Sequence, residues 1–329
     1  MTVQFDTQAN RYVTNSEIQC FKRCKRKWWL AYYRQLQPVR EESTGVRRLG
    51  TRLHEALAER YSSRGKDPIQ VFTDGFTADL AYAKETFDGE LEKSLLKDRD
   101  LGRIMLEGYL EWIASEGMDM DLTVVADEDD IAVPVAPDFK DDHGRVIHLL
   151  GKIDVRLRRH VDGAVGFIDH KSVGSFEQAL KTLHMDEQMQ MYITLERLSQ
   201  PAGTHVAGAW YNMLRRVKRT ATAKPPFYHR EFITFNQKQL DSFFMRTVNC
   251  IIDIMTLEHR LQIEGADPVT LCYPSPKADC SWSCDFFLAC PMFDDGSAAE
   301  RFVGVAFHEG DPIARYRSEE AQTKGESSE

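Results

Sequence analysis

No run of apolar residues in this 329-residue chain approaches the length of about 18 that would suggest a membrane span. No stretch reads as a secretory leader either, so the expectation is a soluble, cytoplasmic protein with no membrane partner. There is no Gly-x4-Gly-Lys-Ser/Thr phosphate loop, and the chain is therefore not expected to act as an ATP-driven motor by itself. No internal repeat recurs. Excess positive charge is also missing: net charge is -9, which argues against adhesion to polyanions by bulk charge alone. What basic charge exists is gathered locally. Residues 1–60 carry 12 Lys/Arg against 6 Asp/Glu, and residues 210–230 carry six basic residues and no acidic one. That asymmetry admits an anionic partner at a groove.

Seven cysteines are present, and in a cytosolic chain they point to metal binding before disulfides. Cys280, Cys284 and Cys290 cluster, with Trp282, Phe286 and Phe287 between them and Pro291 after them. Such a trio suggests a zinc or iron–sulfur site that lacks one ligand. The fourth would come from far away in sequence, with Cys24 or Cys20 stapling the ends of the chain together. Cys272 competes for the same place. Cys250 and Cys20 read most simply as buried thiols.

The segment 151–171 carries the chemistry. Gly151-Lys-Ile-Asp154 leads into an extended run, meets Asp162-Gly163, and returns through Phe167-Ile-Asp-His-Lys171. Asp-Gly between two apolar, β-branched runs signals a hairpin. With those two residues as the loop, 161 faces 164 and Asp154 faces Lys171, leaving Asp169 one diagonal step away at roughly 7 Å between backbones. Side chains alternate with period two, so Asp154, Asp169 and Lys171 share a face while Ile153, Val155, Leu157 and Ile168 take the other. Two carboxylates so placed suit a hard cation, and a neighbouring lysine can act on what the cation binds.

Around this hairpin the patterns predict a helix from Ser16 to Tyr33 capped by Ser16, a linker over 38–50, and a helix after Gly50 with Leu53, Leu57 and Tyr61 on one face. Residues 70–117 read as mostly helical. Strands are expected near 123–135, 146–160, 164–173, 205–216 and 228–234, and helices near 176–199 and 236–264. Residues 318–329 read as a disordered tail. The aromatic group Trp28, Trp29, Tyr32 and Tyr33 reads as packing. The basic run Arg215, Arg216, Lys218 and Arg219 reads as a phosphate track beside a strand.

At these residues a resemblance emerges. The chain resembles the PD-(D/E)XK nucleases, specifically the RecB-like branch that includes the iron–sulfur exonucleases of CRISPR adaptation and their phage relatives. The matching elements come in the family's order: Gly50-Thr-Arg-Leu-His54, Gly151-Lys-Ile-Asp154, Ile168-Asp-His-Lys171 and Gln188-x3-Tyr192. The cysteine frame matches as Cys24-Lys-Arg-Lys-Trp with Cys280, Cys284 and Cys290. It departs in the x3 spacing of the first C-terminal pair and in Lys25, where a proline is common. Singly, His54 would read as an ordinary helix histidine and Tyr192 as core; together the five elements make the resemblance, over roughly residues 14–292.

The resemblance implies an α/β, restriction-endonuclease-like fold: a mixed central sheet flanked by helices, with a helical insertion and a cysteine-cluster C-terminal segment. The expected division is an N-terminal cysteine and basic segment (1–50), a helical insertion carrying His54 (51–122), a nuclease core (123–235), a cluster-binding segment (236–292) and an acidic tail (293–329). His54, Asp154, Asp169 and the His170 carbonyl resemble ligands of Mg²⁺ or Mn²⁺. Lys171 resembles the catalytic lysine, orienting or deprotonating water. Gln188 and Tyr192, one helical turn apart, resemble the motif bordering the site. Cys24, Cys280, Cys284 and Cys290 resemble the ligands of a [4Fe–4S] cluster, with Zn²⁺ as the alternative. The implied activity is metal-dependent DNA exonuclease action in recombination, repair or replication, bacterial or phage-encoded in a bacterial host. A helicase or single-strand annealing protein is the implied partner. The competing expectation is a non-catalytic iron–sulfur or zinc scaffold that binds DNA ends.

Overall fold

A computed structural model describes residues 5–39, 45–62, 64–86 and 88–316. The 318–329 tail, and residues 40–44 of the 38–50 linker, lie outside the described residues. In chain order the elements are β1 (Asn10–Thr14), α1 (Asn15–Arg23), α2 (Lys25–Trp28), a π turn (Trp29–Tyr33), β2 (Leu36–Pro38), α3 (Val46–Tyr61), α4 (Pro68–Glu85) and α5 (Gly89–Glu116). There follow β3 (Leu122–Pro134), β4 (Val146–Arg159), β5 (Val165–Val173), α6 (Phe176–Leu183), α7 (Glu187–Ser199), β6 (Val206–Arg215) and β7 (Tyr228–Ile233). The last are α8 (Gln237–Gln262), α9 (Pro268–Leu271), α10 (Cys280–Ser283), α11 (Ala299–Ala306) and β8 (Phe307–Glu309). The five expected strands and the α/β class stand. Among the described residues no helix is long and apolar enough to cross a membrane.

The strand order is β1-β4-β5-β6-β7, with β3 also on β4. Pairing is parallel for β1/β4 and β5/β6 and antiparallel for β4/β5 and β6/β7, so the sheet is mixed. The chain divides into two units. One holds Glu42–Ile131 and Lys152–Leu240, the other Thr2–Glu41, Ala132–Gly151 and Asp241–Glu329.

In the first unit, α3, α4 and α5 pack through Leu49, Leu53, Leu57, Phe72, Phe76 and Leu106, all buried. Local sequence explains their ends. Asp67 caps α4 ahead of Pro68, Asp88 caps α5, and Gly117 ends α5 in the left-handed conformation at φ 63°. Gly102 is required where α5 meets its neighbours, because a Cβ there would lie 2.3 Å from Phe72 and 2.5 Å from Leu49. A second cluster joins Tyr61 of α3 to Val155, Leu157 and Ile168 on one face of β4 and β5. On the other face Tyr192 of α7 meets Phe167 edge-on at 6.0 Å, and Glu196 of α7 takes Arg156 in a buried ion pair at 2.8 Å. The expected 176–199 helix is two helices, since Asp186 caps a fresh start at α7.

In the second unit the expected Ser16–Tyr33 helix is corrected twice. Thr14, not Ser16, caps α1 by accepting the Glu17 N–H at 3.1 Å. Cys24 then leaves the helix with φ −161° and ψ 114°, and α2 begins after it. The next turn carries Arg26, which is 1 % exposed and bonded to the main-chain carbonyls of Val269, Cys272 and Cys290. Strands β2 and β8 form a short antiparallel pair, and Tyr12, Leu150 and Tyr316 make a small core.

Candidate active site

The hairpin that carries the charged trio begins its turn two residues earlier than the Asp-Gly signal alone dictates. Val155 faces Ile168 and Arg158 faces Val165, while the Arg159 N–H donates to the Ala164 carbonyl at 2.9 Å. Residues 160–163 form the loop, with Gly163 at φ 66° and Arg159 gripping the Asp162 carboxylate. The expected register is therefore displaced by two residues. A one-residue slip would turn every side chain to the opposite face; a two-residue slip turns none. Asp154 consequently lies level with Asp169 rather than with Lys171, and the three charged groups still share a face.

Their contacts are direct. Lys171 Nζ lies 3.0 Å from Asp169 Oδ1 and 2.8 Å from Oδ2. His54, projecting from α3 and about a third exposed, reaches Asp154 Oδ2 through Nδ1 at 3.2 Å. The same Oδ2 accepts the His170 main-chain N–H at 2.9 Å. Asp169 is 2 % exposed, and its Oδ2 has no hydrogen bond aligned with it.

Electrostatics separate the two carboxylates. Burial pushes Asp169 up to about 6, against the charge of Lys171 and with that of Asp154. Burial acts on Asp154 too, but His54, by charge and hydrogen bond, outweighs it, and Asp154 sits well below the ordinary carboxylate range. Burial likewise tends to lower His54 and Lys171. The neighbouring carboxylates win in both cases, so each is raised. Lys171 held in this way is an ammonium that donates to Asp169. His170 is pushed down to about 3 by burial and is neutral.

Two carboxylates with an imidazole form a donor set for a hard or borderline divalent cation, and the unaligned Asp169 Oδ2 offers lone pairs to one. These donors are turned on partners within the chain, however. Among the described residues no group of three or more His, Cys, Asp or Glu side chains is gathered to hold a metal ion. Lys171 and the His54 ring occupy the carboxylate oxygens that such an ion would use.

The other expected residues fall as follows. Gln188 and Tyr192 share a face of α7, with Gln188 Nε2 donating to the Tyr192 hydroxyl at 3.0 Å. Arg215 donates to the carbonyls of Lys224 and Pro226, and Arg216 to that of Ser172 at 2.7 Å. Arg219 pairs with Glu111 of α5 at 2.7 Å. The run is free of carboxylates in sequence but not in space; Lys218 is exposed.

In the second unit, the Cys24 thiol accepts the Ser275 N–H at 3.5 Å and the Cys280 thiol the Lys277 N–H at 3.4 Å. Burial raises Cys284 and Cys290, and both also feel the charge of Cys24. Cys20 is raised by burial to about 12 and Cys272 to about 11. Burial thus favours the thiol form at Cys284 and Cys290, a preference that a bound metal would reverse.

Sequence reasoning missed a buried polar group behind β5 made of Asn212, Arg230, Tyr61, Tyr109 and Asp119. Asn212 could have been flagged as the one amide in the otherwise apolar heart of β6. Arg230 was legible only as part of the basic count. Residues 12–291 match the model of the PD-(D/E)XK nuclease superfamily. No curated protein matches the chain.

Proposed function

The chain belongs to the PD-(D/E)XK nuclease superfamily, and from that premise we propose that it is a divalent-metal-dependent DNA exonuclease that hydrolyses phosphodiester bonds. The observation that carries the reading is the meeting of Asp154, Asp169, Lys171 and His54 on two paired strands and one helix. Proteins of this superfamily generally use Mg²⁺ or Mn²⁺. Here the side chains of His54, Asp154 and Asp169, with the His170 carbonyl, would hold it. Bound there, such a cation would lower the pKa of a water and counter charge on the scissile phosphate.

The chain's own groups supply the rest. Lys171 orients the attacking water or a phosphate oxygen by donating hydrogen bonds, or takes a proton from that water. His54 must shed its proton to serve as a ligand, so cation affinity rises with pH. Gln188 and Tyr192 border the site. Arg215, Arg216, Lys218 and Arg219 form a phosphate track for the DNA strand.

Exonucleolytic trimming in recombination, repair or replication draws its support from the resemblance to the RecB-like iron–sulfur exonucleases. So do a bacterial or phage setting and a helicase or annealing partner. For the second unit we infer a [4Fe–4S] centre on Cys24, Cys280, Cys284 and Cys290, with Zn²⁺ as the alternative. Support comes from the spacing and from the mutual influence of Cys24, Cys284 and Cys290. Metal analysis of anaerobically purified protein tests it. Iron with absorption near ~400 nm is expected, and colourless protein that contains zinc removes the iron–sulfur reading.

One observation favours a second reading, a DNA-end-binding scaffold with little hydrolysis: the acidic donors are paired with chain partners rather than gathered round a common point. End-labelled linear and circular DNA, single- and double-stranded, incubated with Mn²⁺ separates the two. Cleavage of linear ends that is lost in Asp169→Ala and Lys171→Ala supports the exonuclease. Equal cleavage by those variants marks a contaminant, and no cleavage by any protein supports the scaffold.

A further inference from the structure

Behind the face that carries Asp169, three side chains from three adjacent strands stand in one row. The sheet register sets His170 of β5 beside Asn212 of β6, and Asn212 beside Arg230 of β7. Arg230, its side chain 2 % exposed, commits its terminal nitrogens elsewhere. Nη1 donates to Asp119 at 2.8 Å and to the Met118 carbonyl at 3.1 Å, and Nη2 to the hydroxyls of Tyr61 and Tyr109 at 3.3 and 3.1 Å. The remaining nitrogen, Nε, donates to Asn212 Oδ1 at 3.1 Å.

The chemistry of each partner then fixes the next. A guanidinium has no acceptor, so the amide oxygen of Asn212, and not its nitrogen, faces Arg230. Asn212 Nδ2 is thereby turned on His170 Nδ1 at 2.9 Å. An amide nitrogen only donates, so Nδ1 is the acceptor and the ring proton of His170 lies on Nε2. With the other tautomer or a charged ring, two N–H groups would oppose each other at that distance.

His170 also sits between Asp169 and Lys171, its main-chain N–H holds Asp154 Oδ2 at 2.9 Å, and Tyr61 stacks on its ring with centroids 5.6 Å apart. We propose that Asn212, oriented by Arg230, is a positioning residue. It fixes His170 as the neutral Nε2–H tautomer and so holds the β5 backbone that presents Asp169 and Lys171 beside Asp154. An apolar trio could fill the same row without desolvating a cation, and what it would lack is this enforced orientation.

The inference rests on the nuclease reading for its consequence but not for its geometry, and the test keeps them apart. Histidine-¹⁵N-labelled full-length protein, without DNA, is examined by long-range ¹H–¹⁵N correlation, with the His170 signals assigned by their loss in His170→Gln. Wild type is expected to be protonated at Nε2 alone. Asn212→Asp, whose carboxylate can only accept, is expected to place a proton on Nδ1. In cleavage assays with Mn²⁺, Asn212→Asp and Asn212→Leu should lose about 10- to 100-fold in kcat with KM for DNA nearly unchanged. A wild-type ring protonated at Nδ1, or an Asn212→Asp ring still protonated at Nε2 alone, overturns the assignment. Full kcat in Asn212→Leu overturns the positioning role. Should Asn212→Asp fail to fold, the wild-type spectrum still decides the tautomer. A wild-type protein that cleaves nothing removes the nuclease reading and leaves that spectrum in force.

Discussion

Lys171 in the strand pair of the first unit and Arg26 in α2 of the second are both cations drawn out of water, and they are satisfied in opposite ways. Arg26 is 1 % exposed and donates to the carbonyls of Cys272, Val269 and Cys290 at 2.8, 3.0 and 3.3 Å and to Asp294 at 3.1 Å. Its fork is used up by the chain, and it ties α2 to the segments around α9 and Cys290. Lys171 keeps a quarter of its side chain exposed, and its one hydrogen-bond partner among the described residues is Asp169. Ammonium carries three donors, so Lys171 retains capacity for something that is not part of the chain. A buried charge that is fully bonded holds a structure together; one that is partly bonded, beside a carboxylate raised by burial, is equipped to act on a ligand.

Breaking each side of this contrast gives different losses. Arg26→Leu leaves three carbonyls without a donor, and it should lose about 3–5 kcal/mol of unfolding free energy in urea titrations. Little change there would mean that Arg26 is not the structural half of the pair. Lys171→Met should reduce DNA cleavage by about 10²–10³-fold while moving the urea midpoint little. A large loss of stability with retained cleavage would reverse the assignment.

A smaller effect sharpens the same contrast by pH. Asp169 is raised from its ordinary 3.8 to about 6, so between those values the folded chain binds a proton that the unfolded chain has released. Its contribution to stability is therefore present below about 3.8 and lost as pH rises through about 6. Asp154 is shifted the other way, and its contribution falls away only on acidification below 3.8. In EDTA, the stability of wild type minus that of Asp169→Asn should fall across pH 4–6. A flat difference would place the proton elsewhere.

The smallest effect concerns binding. Replacing Arg215, Arg216 and Lys218 with glutamine should lower the salt dependence of duplex DNA affinity by about two to three in log–log slope. Arg219, already paired with Glu111, should contribute less than Lys218. An unchanged slope removes the phosphate track.

The site was unevenly legible in the sequence. Alternation along 151–171 assigned Asp154, Asp169 and Lys171 to one face correctly although the loop was taken as two residues instead of four, because period two tolerates an even error in register. Helical spacing found Leu53, Leu57 and Tyr61 as the buried face of α3. The break at Cys24 was hidden, since the run 16–33 has good helical composition and the partners of the turn that follows, carbonyls about 250 residues away, are not readable locally. The row His170–Asn212–Arg230 was hidden for a related reason. It depends on β5 lying parallel to β6, and no short-range signal announces a parallel pairing.

Sequence alone decided which hairpin side chains share a face, where the strands β3 to β7 lie, and which superfamily the spacing of charged residues resembles. These follow from backbone periodicity and local hydrogen bonding, which a few neighbouring residues decide. Tertiary structure alone decided that Lys171 pairs with Asp169, that the surroundings of Asp154 and Asp169 shift their pKa values in opposite directions, and that His170 meets an amide two strands from the hairpin's first limb. Charge state and tautomer depend on burial and on partners brought together by strand pairing, and those become fixed only when distant segments are packed against one another.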